Sequence, residues 1–329
     1  MRHRLLGGSG LRVSELCLGT LTFGERKDWG ADADTAFAIL TRFSDAGGTF
    51  IDMAPNYGDG AGEEIVGAFV TGRRHDFVLA TKFTAATQRH PLAGGNSRKA
   101  MIHSVEASLR RLGTDYIDLL WLHFWDGTTP IDEIARGLDD LVSSGKILYA
   151  GFSDTPAWLV SRAATIAELR GWARPVAIQL EYNILARTPE RELLPMAEAM
   201  DLGRVCWGPL AAGALTGGEH TRLAKIPPRL AEGAAACVEI ATAAGSSPIA
   251  LALGWLISRG CVPVVGARRP EQLDEALALE TIAPDVLAKL DAIATPDLGF
   301  PHALIGSSYL RRFALGEPDG LIPLARPRC

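Results

Sequence analysis

Four ionisable residues stand at or just behind short apolar runs. Asp52 lies in TFIDMA (49–54), with Tyr57 five positions later in a Pro-Asn-Tyr-Gly stretch. Lys82 ends DFVLATK (76–82), and His123 ends YIDLLWLH (116–123). A phenol, an ammonium, a carboxylate and an imidazole together can move a proton onto a substrate oxygen. A free phenol, with a pKa of about 10, is a poor donor at neutral pH. An ammonium beside its oxygen favours the phenolate and lowers that value. A carboxylate can hold the ammonium as a buried ion pair, and an imidazole can orient or polarise the oxygen. Each residue alone has an ordinary explanation: a loop-capping aspartate, a solvent-reaching lysine, a structural histidine, a tyrosine next to a loop glycine. None of these explanations accounts for all four at three neighbouring strand ends.

Eight apolar, β-branched-rich runs recur along the chain: 15–20, 49–54, 76–82, 116–123, 147–153, 176–183, 203–210 and 262–267. Most are continuous rather than alternating, as expected for parallel strands covered on both faces. Amphipathic stretches separate them. Thr129-Pro130 reads as N-cap and first helical residue, with Gly145 at the left-handed end, and Thr188-Pro189 and Ser247-Pro248 repeat the opening signal. In 98–112, Met101, Ile102, Val105, Leu109 and Leu112 follow helical spacing. Eight strand–helix units most simply close into a (β/α)8 TIM barrel, whose chemistry sits at the carboxyl ends of the strands. A doubly wound sheet is the rival, but neither GxGxxG nor GxxxxGK[ST] is present. Residues 1–14, with a Gly-Ser-Gly turn, read as a β-hairpin closing the barrel floor. Residues 211–228 read as a long loop and 296–329 as an irregular, proline-bearing C-terminal tail.

The chain has 329 residues, a net charge of −5 and 47% hydrophobic residues, which excludes disorder and gives no support to nucleic-acid binding. No composition shift divides it, so one domain over 1–329 is expected. No run is long enough for a membrane span, and the N-terminal apolar stretch is too short for a secretory signal. Five scattered cysteines, Cys17, Cys206, Cys237, Cys261 and Cys329, read as free thiols in a reducing cytoplasm.

In order along the chain, LGTLTFG, FIDMAPNYGDGAGEEIVG, LATKF, LLWLH, GFSD, IQLEYN, CWGPLAAGALTGG and VVGARRPEQLDEAL closely resemble the aldo-keto reductase superfamily. The later blocks look most like its bacterial, aryl-alcohol-dehydrogenase-like and channel-β-subunit-like branch. The resemblance implies an NADPH-dependent reductase of aldehydes or ketones, with Asp52, Tyr57, Lys82 and His123 as catalytic tetrad and Tyr57 as general acid. It also implies that Trp207 stacks on the nicotinamide and that Ser153, Asp154 and Gln179 meet its carboxamide. Gly19 and Thr20 would face the cofactor, and Gly208, Pro209, Leu210, Gly213 and Leu215 to Thr216 would run along the pyrophosphate. The 2′-phosphate of NADPH/NADP+ would fall to Gly266, Ala267, Arg268, Gln272 and Glu275, aided by a helix start near Pro270. Asp154 stands where the family commonly has Asn, and so does Ala276.

Substrate contacts are expected from loop aromatics: Phe23, Trp29, Trp125 and, in the tail, Phe300, His302 and Tyr309. Aryl aldehydes, keto sugars and secondary-metabolite ketones remain open. The expected partner is a small carbonyl compound, with no nucleic acid, membrane or metal; the sequence leaves oligomeric state open. A short-chain dehydrogenase is excluded because no tyrosine is followed by Lys four residues later. A lysine between Asp52 and His123 opposes a metal-dependent barrel. A cofactor-sensing regulatory subunit of the channel-β type stays as the alternative, though no long N-terminal extension is present to dock it.

Overall fold

The computed structural model describes residues 1–24, 30–217, 227–279 and 281–316. Eight parallel strands form a closed barrel: β3 (Cys17–Gly19), β4 (Phe50–Asp52), β5 (Val78–Phe83), β6 (Ile117–Leu122), β7 (Ile147–Ser153), β8 (Pro175–Glu181), β9 (Gly203–Trp207) and β10 (Val262–Val265). β10 pairs back with β3 and completes the ring. All eight apolar runs are therefore strands. Each strand except the last is followed by helix before the next begins: α1 (Ala33–Asp45), α2 (Ala61–Val70), α3 (Arg98–Leu112), α4 (Ile131–Ser143), α5 (Ala157–Arg170), α6 (Leu193–Ala199), then α7 (Pro228–Ala244) and α8 (Pro248–Ser258) between β9 and β10. The helices α9 (Gln272–Leu277) and α10 (Pro284–Ile293) close the outer ring.

Period-two alternation within the strands builds two separate cores. Ile51, Leu79, Leu120, Ile178 and Cys206 face outward and pack under the helices. Cys17, Phe50, Val78, Ala80, Leu119, Trp121, Ala177, Val205 and Val262 face inward. The inward phase is apolar low in the barrel and becomes polar at the strand ends. In phase with Phe50 comes Asp52; with Ala80, Lys82; with Trp121, His123; with Ala177, Gln179; with Val205, Trp207. Register aligns these layers, pairing Gly19 with Asp52 and Ser153 with Gln179.

The N-terminal hairpin is present as β1 (His3–Leu5) antiparallel to β2 (Arg12–Ser14). Leu6 and Val13 join the inner core, so the hairpin closes the barrel floor. Gly7, at φ +58°, makes the closest approach: a Cβ there would lie 2.5 Å from Gly203 N and 2.6 Å from Val176 O.

Helix starts differ from the sequence reading in two places. Asp126 takes the backbone N–H groups of Thr128 and Thr129 and the Thr129 hydroxyl, so Thr129 belongs to that turn and Pro130 becomes the N-cap of α4. Thr188-Pro189 opens a 3-10 turn, Thr188–Arg191, with α6 starting only at Leu193. Ser247 caps α8 as expected, accepting from Ala250 N. The tail is less irregular than its prolines imply, since α11 (His302–Ile305) and α12 (Ser308–Leu315) form within it. The loop after β9 begins as a 3-10 turn over Ala211–Thr216, and 218–226 lie outside the described residues. No single helix among the described residues is long and apolar enough to cross a membrane.

Candidate active site

At the open end of the barrel the four ionisable residues come together. Lys82 is 1% exposed, and its ammonium is held by the Asp52 carboxylate and by Met53 O at 2.8 Å. The second Asp52 oxygen accepts from Gln179 Nε2 at 3.0 Å. The ammonium lies 5.1 Å from the centre of the Tyr57 ring. The His123 ring meets the Tyr57 ring edge-on at 6.2 Å.

Local sequence explains how Tyr57 is presented. It opens a tight turn in which Gly58, Asp59 and Gly60 all take positive φ. A Cβ on Gly58 would sit 2.8 Å from Phe23 O, and one on Gly60 2.7 Å from Arg111 Cδ. The glycines thus let the turn press against its neighbours. Glu63, which the sequence reading passed over, fixes the following helix. It is fully buried in α2, accepts from Thr81 Oγ1 at 2.5 Å and from Arg111 Nε at 2.6 Å, and so ties α2 to β5 and α3. An acidic residue three positions after a glycine turn was the available signal.

The electrostatics refine the expected role of Lys82. Burial pushes the Tyr57 phenol above its usual value, while Lys82 pulls it down and Asp52 pushes it up. The net direction is upward, because desolvation outweighs the ammonium. Lys82 itself is raised: burial works against its charge, but Asp52 and Tyr57 more than offset this. His123 is lowered to about 3 by burial and by Lys82, and its Nδ1 is buried without a partner among the described residues. It is a neutral imidazole at neutral pH.

These groups line a cleft of about 410 Å³. Gly19, Ser153, Asp154, Gln179, Trp207, Gly208, Pro209, Leu210, Gly213, Gly266, Arg268 and Gln272 form its walls with the tetrad members Asp52, Tyr57 and His123. Thr216, expected beside the pyrophosphate, lines it too, and so do Leu21, Thr22, Asn56, Ala212 and Ile249, which were not foreseen.

Residues 15–295 match the aldo/keto reductase family. The chain belongs to that family. Norsolorinic acid reductase of Emericella nidulans is 35% identical over 337 residues, covering 94% of this chain and 86% of its own. The NADP(+) aryl-alcohol dehydrogenase of Phanerodontia chrysosporium is 34% identical over 347 residues, covering 93% and 89%. A putative aryl-alcohol dehydrogenase of Saccharomyces cerevisiae is 33% identical over 335 residues, covering 91% and 88%.

For an aldo/keto reductase the walls suit a dinucleotide. Ser153 Oγ is buried in the wall without a partner among the described residues, a polar atom that a ligand amide can satisfy. Gly208 and Gly213, at φ +64° and +95°, bring backbone to the cleft surface where a side chain would obstruct it. The Arg268 guanidinium makes no ion pair among the described residues and faces the cleft, which suits a phosphate.

Several expected contacts are placed elsewhere. Thr20 is buried and braces the site by donating to Asp52 O at 3.1 Å. Leu215 and Ala267 pack in the outer core, Ala267 O accepting from Thr22 Oγ1 at 2.6 Å. Glu275 is exposed outside the cleft, and Ala276 is buried in the core. Ahead of the short helix α9, Gln272 Oε1 accepts from the N–H groups of Arg268 and Arg269, which ties the segment after β10 to the helix start. Among the aromatics, Phe23 is fully buried in the outer core. Trp125 donates to Thr129 O at 3.2 Å and packs edge-on against Trp158. Tyr309 is 65% exposed and stacks with Phe313. None of the three lines the cleft, and Trp29 lies outside the described residues.

Proposed function

We propose that the protein is an NADP(H)-dependent reductase that converts an aldehyde or ketone to the alcohol, with Tyr57 as the general acid. One observation carries this reading: a buried ammonium, fixed by a carboxylate that lines an open cleft, lies beside the one tyrosine on the cleft wall among the described residues. Reduced nicotinamide, when bound, supplies the hydride. The chain's own residues then handle the oxygen. Tyr57 gives up its proton as charge develops there, and Lys82 stabilises the phenolate left behind. Asp52 keeps Lys82 charged and in place, since a buried ammonium without a counter-ion would lose its proton. Neutral His123 can donate a ring N–H to the carbonyl oxygen without competing for the acid's role.

Ser153, Gln179, Trp207 and Arg268, carried by or following the consecutive strands β7 to β10 on one side of the cleft, support the expected cofactor placement. Gln179 Nε2 is committed to Asp52, so its carbonyl oxygen is the atom suited to an amide. Similarity to aryl-alcohol dehydrogenases and norsolorinic acid reductases makes aryl carbonyl compounds and their alcohols the first substrates to try. The buried free thiols Cys17, Cys206, Cys237 and Cys261 suit a reducing cytoplasm. The test is consumption of NADPH with a panel of aryl aldehydes, ketones and keto sugars, run beside Tyr57→Phe. Equal turnover by that variant would remove the assignment. Tight, non-reacting cofactor binding with every carbonyl would instead support the regulatory-subunit alternative.

A further inference from the structure

Asp154 is an unusual residue for its place. It follows β7 at φ +39°, a region that aspartate tolerates better than most side chains but that glycine or asparagine fills with less strain. Its N–H donates to Gln179 O at 3.1 Å, which fixes the backbone. One carboxylate oxygen accepts the Trp207 indole N–H at 3.0 Å. The side chain is open to the cleft that Trp207 also lines. A cation that acts on it is Lys82, whose charge is already answered by Asp52. Holding an indole needs no charge, because an amide oxygen accepts the same N–H in the same geometry. What the carboxylate adds is a fixed negative charge on the wall beside Trp207.

We propose that Asp154, through its bond to Trp207, makes the cleft favour the oxidised, cationic nicotinamide over the neutral reduced one. The inference rests on reading this cleft as the NADP(H) site. A preference for the oxidised form favours the reverse direction, alcohol to carbonyl. In that direction the alcohol C–H bond breaks, hydride passes to the oxidised cofactor, and the O–H proton leaves to the Tyr57 phenolate. Asp154 is thus a positioning and selectivity residue: it touches no reacting atom of the alcohol, and it sets which half of the cycle starts more readily.

The test compares affinities, not turnover. NADP+ and NADPH are titrated separately by calorimetry into the full chain, into Asp154→Asn and into Asp154→Leu, at neutral pH and constant salt. The asparagine keeps the indole acceptor and removes the charge. It is expected to weaken NADP+ about ten-fold or more relative to NADPH, with the near-ultraviolet tryptophan signal kept. The leucine is expected to shift the ratio equally and to alter that signal as well. An unchanged ratio in Asp154→Asn overturns the proposal, as does a shift seen only with leucine, which would assign the effect to packing. A wild-type chain that binds neither nucleotide overturns the reading of the cleft, and this assignment with it.

Discussion

The ion pair beneath Tyr57 can be tested without knowing the substrate. Lys82→Met removes the ammonium and keeps an unbranched stem of similar bulk. It leaves the Asp52 carboxylate, 3% exposed, with the Gln179 amide as its remaining side-chain partner. Breaking a buried pair from one side costs about 3–5 kcal/mol, because the surviving charge stays desolvated. Asp52→Asn alone leaves the Lys82 ammonium buried without its counter-ion, among neutral acceptors such as Met53 O, and is expected to cost a similar amount. The double variant Asp52→Asn/Lys82→Met carries no buried charge, and the asparagine oxygen can still accept from Gln179. It should therefore recover at least about 2 kcal/mol of the summed losses, a coupling typical of groups in direct contact. Urea unfolding followed by tryptophan fluorescence reads all four proteins. Single variants within about 1 kcal/mol of the parent, or a double variant no better than the sum, would refute the claim that the pair is a tightly coupled buried unit.

Four further outcomes follow from the site. Tyr57→Phe should reduce turnover by about 10²–10⁴-fold with little change in NADPH affinity, measured by steady-state kinetics and fluorescence titration. Because burial holds the Tyr57 phenol above its ordinary value, carbonyl reduction should show no loss of the acid through neutral pH and decline only in strong alkali, while alcohol oxidation should rise with pH; a reduction rate that falls between pH 6 and 8 in wild type but not in Tyr57→Phe would contradict this. His123 binds its proton at about 3 in the folded chain against 6.5 ordinarily, so the unfolded chain holds more protons between those values, and stability drops as pH falls through that window by at most about 1.4 kcal/mol per unit; His123→Asn should flatten that slope in denaturant melts. Finally, Arg268→Met should raise the KM for NADPH about ten-fold or more while leaving that for NADH nearly unchanged, since only the former brings a 2′-phosphate.

The barrel was legible because its strands are covered on both faces and read as uninterrupted apolar runs. The meeting of Asp52, Tyr57, Lys82 and His123 at one end of the barrel was legible because ionisable side chains at the ends of such runs break a pattern with few other causes. Helix α3 matched its periodicity over 98–112, although Ile102 faces solvent. Where the reading slipped, a competing local interaction decided the outcome. The Asp126 carboxylate gathers Thr128 and Thr129 into its own turn and moves the start of α4 by one residue. Aromatic loop residues were harder. Phe23, Trp125 and Tyr309 are alike in sequence terms, yet one is core, one is pinned to a loop carbonyl and one is largely exposed. That sorting depends on contacts between elements far apart in the chain. The Asp154–Trp207 bond joins residues 53 positions apart, and no local pattern announces it. The phenol's upward shift was missed for a related reason: sequence shows the neighbouring ammonium but not the dry surroundings that outweigh it.

The stopper made by the first fourteen residues divides labour between the two mouths of the vessel. With Leu6, Gly7 and Val13 wedged into the lower mouth, the staves are held in register from beneath, away from any reactant. The upper rim is then released from upkeep. Its loops can be exchanged or lengthened to admit a different guest while the foundation stays as it is, so a new specificity calls for a new rim and not a new vessel.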